Sequence, residues 1–108
     1  MAVGQVFHPR MDAVDPVNLL KASADPVRLS VVRILSGGEE ATCSALAEHV
    51  GIPLTTMSHH LKTLREAGLT QNRKEGTLRW TSLRREELDA RFPGLVDQLC
   101  ALSSQIDS

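Results

Sequence analysis

Gly51-Ile52-Pro53-Leu54-Thr55-Thr56-Met57-Ser58-His59-His60-Leu61-Lys62-Thr63-Leu64-Arg65-Glu66-Ala67-Gly68 is the stretch that decides the fold. A glycine at either end can take the left-handed backbone that stops a helix. Between them Met57, Leu61 and Leu64 recur at helical spacing, with His60 on their flank, which predicts a helix over 55–67. Its other side carries Thr55, Thr56, His59, Lys62, Thr63 and Glu66, with Ser58 and Arg65 at one boundary. Just upstream, Cys43, Leu46, Ala47 and Val50 follow the i, i+3, i+4, i+7 rule and predict a helix over 43–50. Ile52 and Pro53, with Leu54 at the margin, are all that separates the two. A short helix, a glycine-containing turn and a second helix with a polar outer side form a helix-turn-helix unit.

Working outward, Asp15-Pro16 and Asp25-Pro26 each read as an N-cap followed by proline at the first helical position. Such a proline lacks only an N–H that had no partner. They predict helices over 16–23, with Val17, Leu19 and Leu20 inward, and over 26–36, with Val27, Val31, Ile34 and Leu35 inward. Gly37-Gly38 ends the second. Beyond Gly68, residues 69–73 and 78–83 read as two strands joined by Lys74-Glu75-Gly76-Thr77. The alternation puts Leu78, Trp80 and Ser82 on an inner face and Arg79 and Thr81 on an outer one. Residues 86–90 suggest a helical turn. Residues 93–105 suggest a last helix, with Leu95, Leu99, Leu102 and Ile106 in a stripe and Val96 and Ser103 beside it. Residues 1–12 have no periodicity and are expected to be a flexible arm, with 13–108 as one domain. The expected fold is mostly α with a small β-hairpin wing, in the order α-α-α-α-β-β-α: a winged helix-turn-helix.

Composition narrows the classes. The 108 residues are 42% apolar and 23% charged, enough for one small core and unlike collagen, disordered or disulfide-rich chains. Aromatics are limited to Phe7, Phe92 and Trp80, too few for a base-stacking sheet. Cys43 and Cys100 lie far apart and form no CxxC pair, which suits a reducing cytoplasm. No apolar run approaches the roughly 20 residues of a membrane span, and no export signal is visible. The formal net charge of −1 hides an asymmetry. Residues 53–85 hold seven cations (Lys62, Arg65, Arg73, Lys74, Arg79, Arg84 and Arg85) against Glu66 and Glu75, a net +5, which leaves −6 elsewhere. A polyanion-binding protein needs cations at its contact face only; a solvated basic face is the plainer reading of the same run.

Three motifs now support a resemblance. Leu20-Lys21-Ala22-Ser23-Ala24-Asp25-Pro26-Val27-Arg28-Leu29 resembles the opening of the ArsR/SmtB family of bacterial winged-helix repressors. Met57-Ser58-His59-His60-Leu61-Lys62-Thr63-Leu64-Arg65-Glu66-Ala67-Gly68-Leu69 resembles that family's recognition helix and its exit, and Lys74-Glu75-Gly76 its wing turn. The likeness spans about residues 17–100. It implies a homodimer, joined through the first and last helices, that binds operator DNA and represses transcription. The residues expected at the dimer interface are Leu19, Leu20, Leu95, Val96, Leu99, Leu102 and Ile106. Taken alone, the last-helix stripe fits its own core or a twin equally well.

The helix after Pro53 is then the element for the major groove. Thr55, Thr56 and Ser58 place hydroxyls beside its N-terminal N–H groups, which suit phosphates and base edges. His59 can donate to a base or a phosphate, and Lys62 suits phosphate better than bidentate readout. Arg65 fits a backbone contact or a stem covering apolar surface. Arg73, Lys74 and Arg79 of the wing can reach flanking backbone or a narrow minor groove. His60 reads as a satisfied structural histidine, Trp80 as inner-face core, and Thr56 as a contact or simply a cap. Two helices about 34 Å apart imply an inverted-repeat site.

The effector is open. On the family pattern a Cys-x-Cys metal pair would fall on Thr42 and Ser44, with Cys43 between them; the last helix offers Asp97 and Asp107 without histidine. Neither makes a site for a soft metal or for zinc, so no metal or cofactor is expected. Cys43 and Cys100 as a redox pair, a nonstandard metal site using His8 or Cys100, and an organic ligand or none remain as alternatives. His8, His49, His59 and His60 join no catalytic motif, and Gly37-Gly38 lacks the pattern of a phosphate loop, so an enzyme is not expected. A winged helix that binds only protein is the remaining rival.

Overall fold

The computed structural model describes residues 7–107; the first six residues of the expected arm lie outside that range. A 3-10 turn, Met11–Ala13, leads into α1 (Pro16–Ser23), α2 (Pro26–Leu35), α3 (Cys43–Val50), α4 (Leu54–Glu66), β1 (Thr70–Glu75), β2 (Leu78–Leu83), α5 (Arg85–Arg91) and α6 (Leu95–Asp107). The winged helix-turn-helix order is present. Both Asp-Pro starts work as caps: the Asp15 carboxylate accepts from Val17 N–H at 2.9 Å, and Asp25 accepts from Val27 and Arg28 N–H at 2.8 and 3.1 Å. Thr42 caps α3 through Ala45 N–H, and Gly51 ends it at φ +85°. Gly68, at φ +96°, lies so close to Val14 that a Cβ would overlap its methyl groups.

One core joins the elements. Leu19, Leu29, Val31, Val32, Leu35, Leu46, Met57, Leu64, Leu69, Leu88, Val96 and Leu99 are sealed in it. β1 and β2 pair antiparallel, with Arg73 opposite Trp80 and Lys74 opposite Arg79. A bridge the sequence did not announce adds Ala41 to the wing: Ala41 and Thr81 exchange N–H···O bonds of 2.9 and 2.8 Å.

Several expectations are corrected. On α1, Leu19 is buried, but Val17 and Leu20 are 57% and 55% exposed. Eight residues give one narrow inward stripe, taken by Leu19, Ala22 and Ser23. The wing's inner face is the reverse of that expected: Thr81 and Leu83 are buried, Leu78 is exposed, and Trp80 and Ser82 are half-buried. Leu83 enters the core where β2 meets the body, and strand parity then sends Thr81 inward and leaves Trp80 on the opposite face, half-buried with its Nε1 shielded from solvent. On α6 the inward set is Val96, Leu99 and Ser103, whereas Leu102 and Ile106 are exposed and Leu95 is half-buried. Leu19, Val96 and Leu99, expected at a dimer interface, are thus spent on the chain's own core.

Residues 7–12, expected to belong to a flexible arm, are fastened down with the start of the domain. Arg65 Nε donates to Phe7 O at 3.0 Å, Arg84 to Pro9 O at 2.7 Å, and Arg91 to Val14 O at 2.7 Å and to Met11 O. The His8 ring Nε2 accepts from Asn72 N–H of β1 at 3.0 Å. Three guanidinium groups satisfying carbonyls make this a strap, a pattern with no periodicity to read.

Candidate nucleic-acid interface

α4 divides its side chains sharply. Met57, Leu61 and Leu64 are buried, whereas Thr55, Thr56, Ser58, His59 and Lys62 are all exposed. The helix begins at Leu54, and Pro53 at the N-cap offers no side-chain hydrogen bond. The N–H groups of Leu54, Thr55 and Thr56 therefore lack intrahelical partners at the exposed end, while Met57 N–H already reaches Pro53 O at 3.0 Å. Thr56 does not cap the helix: it lies within it. Thr63 Oγ1 donates back to His59 O at 3.1 Å, which takes that hydroxyl away from the outer surface.

The remaining residues sort by what they already hold. Arg65 is half-buried and occupied by the strap. Arg73 makes a two-pronged pair with Glu40 at 3.0 and 2.9 Å and a further bond to Glu75 at 2.6 Å. Those carboxylates push the Arg73 guanidinium further up, and Arg73 in turn holds Glu40 below the usual carboxylate range. Arg84 clasps Glu87, and Arg85 pairs with Asp89 and Asp97. Of the seven cations in residues 53–85, Lys62, Arg65, Lys74 and Arg79 have no carboxylate partner among the described residues. Lys74 and Arg79 face each other across the hairpin, a like-charge pair that an anion would relieve.

His60 is structural. Arg28 Nη1 donates to its Nδ1 at 3.0 Å, so the ring proton sits on Nε2, and Asp25 stands 4.0 Å away. Arg28 also reaches Ala22 O, so this pair ties α2 to α1 and α4. Cys43 and Cys100 are both free and half-buried. Burial pushes the Cys43 thiol up, opposite to what a reactive thiolate needs. Among the described residues, no group of three or more His, Cys, Asp or Glu side chains could hold a metal ion, and no helix is long and apolar enough to cross a membrane.

Comparison with known proteins follows this geometry. A helix-turn-helix domain family matches residues 24–70, from the start of α2 to the start of β1. An HTH-type transcriptional regulator of Bacillus subtilis is 40% identical over 82 residues, covering 75% of this chain and 82% of the relative. The arsenical resistance operon repressor of Staphylococcus aureus is 38% identical over 71 residues, 66% of this chain and 67% of the repressor. A homodimeric winged helix-turn-helix DNA-binding domain of a possible ArsR-family regulator from Mycobacterium bovis superposes with a TM-score of 0.63 at 31% identity, covering 84% of this chain and 76% of that one. The chain belongs to the ArsR family of winged helix-turn-helix transcriptional regulators. A second solved structure, the transcriptional repressor BigR of Xylella fastidiosa, superposes with a TM-score of 0.64 at 32% identity over 80% of this chain and 83% of its own. Within the family match lie α3 and the whole of α4; the wing beyond Thr70 and the strap lie outside it. Glu40 and Arg91 have no role in the sequence reading, and Arg84 counts there only as one cation of the basic run; charges that satisfy distant carbonyls or carboxylates leave no local spacing to detect.

Proposed function

We propose that the protein is a homodimeric, sequence-specific DNA-binding repressor. One observation carries the reading: every α4 side chain expected to touch DNA from Thr55 to Lys62 is exposed, on a helix whose other side is locked in the core. Thr55, Thr56 and Ser58 meet base edges and phosphates, His59 a base edge, and Lys62 a phosphate. Lys74 and Arg79 follow the flanking backbone. Arg65 contributes a stem and a strap bond, and Arg73 joins only by leaving Glu40. Leu20, Leu102 and Ile106 stay exposed on α1 and α6, with Leu95 half-buried beside a groove of about 500 Å³ that Leu20 also lines. A second copy covers this face, and its two-fold axis sets both α4 helices toward successive major grooves of an inverted repeat. Relatives named as repressors and a homodimeric neighbour support the same reading.

The test is selection of duplexes from a random library, followed by a salt-dependent mobility shift and light scattering. The expected result is a dimer that enriches an inverted repeat. A folded protein that enriches no duplex at any salt would overturn the DNA reading in favour of a protein-binding winged helix.

A further inference from the structure

Of the seven exposed large apolar side chains among the described residues, Leu20, Leu102 and Ile106 belong to the face assigned above to the second copy; Leu54 and Leu78 lie elsewhere, side by side. Leu54 is the first residue of α4 and 54% exposed; Leu78 opens β2 and is 51% exposed. They line one groove of about 440 Å³ between the recognition helix and the wing, together with Thr55, Ser58, Thr42 and Arg79. Leu54 and Ser58 are four residues apart, so they share one side of α4, one turn from each other. Exposed leucine is costly unless something apolar meets it, yet this groove is fringed by hydroxyls and by an arginine without a carboxylate partner among the described residues. That mixture does not suit a protein's apolar face. It suits a duplex, which offers phosphates and a single apolar group among its major-groove edges, the C5 methyl of thymine.

We propose that Leu54 is a specificity-determining residue that packs on a thymine methyl in each half-site, with Leu78 lying against the sugar of the strand between helix and wing. The proposal rests on the DNA-binding reading above. The N-terminal end of a recognition helix is the part that reaches base edges. Leu54 leads that end, and Pro53, the N-cap before it, makes no side-chain hydrogen bond across the helix terminus.

Deoxyuridine pairs as thymidine does but lacks the methyl. The experiment takes the duplex selected by the full-length protein and replaces its thymidines one at a time. Wild type is expected to lose about fourfold in affinity at one position per half-site, the worth of one buried methyl. Leu54→Ala is expected to show no loss at that position and an unchanged salt slope. Leu78→Ala lowers affinity but keeps the wild-type methyl sensitivity. Leu54→Gln, reselected on the random library, is expected to abandon thymine there for adenine, which an amide reads through two hydrogen bonds. The inference is overturned if no thymine methyl matters to wild type, if Leu54→Ala keeps the sensitivity, or if Leu54→Gln still selects a methyl-sensitive thymine. Failure to enrich any duplex is a different result and sinks the DNA reading itself.

Discussion

Gly68→Ala tests the point where the recognition helix is anchored to the start of the domain. Two penalties act there. At φ +96° an L side chain enters the left-handed region, at about 1–2 kcal/mol. The new Cβ would also overlap Val14 Cγ2 and stand 3.3 Å from Cγ1, overpacking worth about 1–3 kcal/mol. Loss of unfolded-state freedom returns about 0.4–1 kcal/mol. The net cost is then about 2–4 kcal/mol. Gly51→Ala is the internal control: its φ of +85° brings the first penalty, but no atom lies within 4 Å of a Cβ, so about 1 kcal/mol remains. Urea unfolding at one fixed protomer concentration measures both, since a dimer's apparent stability depends on concentration. Val14→Ala completes a cycle: it removes the methyl groups in the way, so the double variant loses less than the two singles combined, by about 1–3 kcal/mol. Equal costs at Gly51 and Gly68, or strict additivity with Val14→Ala, would show that the close approach of these two segments does not constrain the protein.

The other predictions concern charge, pH and assembly. Lys62→Ala should weaken binding to all duplexes and reduce the salt slope by about 0.9 per protomer; an unchanged slope would remove Lys62 from the phosphate contacts. Glu40→Gln releases one side of Arg73, so affinity should rise and the slope steepen by about 0.9 per protomer if the freed guanidinium takes a phosphate; no change in a mobility-shift titration would leave Arg73 a wing brace. Burial and the nearby Arg65 and Arg84 hold His8 below the ordinary histidine value of about 6.5. The unfolded chain therefore binds the proton first, and stability contributed by neutral His8 is present above that value and lost as pH falls below it toward the folded one. Urea midpoints of wild type should drop relative to His8→Gln over that window, and parallel curves would refute it. Leu20→Asp or Leu102→Asp should give a folded monomer by light scattering, with DNA affinity reduced, because each buries a charge in the apolar joint.

Local chemistry was legible from sequence and long-range exchange was not. The Asp15 and Asp25 caps, the Gly51 stop and the Met57-Leu61-Leu64 stripe depend on neighbours within one helical turn, and they stand where the spacing put them. The inner face of the wing failed because alternation gives two faces without saying which is inward. That choice is made by Leu83 at the junction and by the Ala41–Thr81 bridge, a contact across forty residues. The α6 stripe failed in part for a related reason. Val96, Leu99 and Ser103 compose a buried side as readily as Leu95, Leu102 and Ile106, and the small Ser103 conceals it. Charge was the least legible. A net +5 over residues 53–85 is real, but Glu40, Glu87, Asp89 and Asp97 neutralise Arg73, Arg84 and Arg85, and three of these carboxylates lie outside α4 and the wing on α5 or α6. The surface left for an anion is consequently smaller and more localised than the run of cations suggests.

This economy explains how a chain with net charge −1 can present a DNA-binding face. Arg73, Arg84 and Arg85 brace the body paired with carboxylates, so they add little field outside. Lys62 on α4 and Lys74 and Arg79 on the wing remain without carboxylate partners among the described residues, and Arg79 lines the groove with Leu54 and Ser58. Adjacent positions on α1 make a similar division: Leu19 is 1% exposed and holds the helix to the core, while Leu20 is 55% exposed on the face proposed for a second copy. Because α1 also packs on α4, and Arg28 links α2 to His60 of α4, the face proposed for a second copy is tied directly to the recognition helix. A signal that alters that joint by a fraction of a turn would change the distance between the two α4 helices, and a fixed operator spacing tolerates little such change. In the proposed dimer, repression and release would then share one rigid body, with the contact between subunits as the adjustable part.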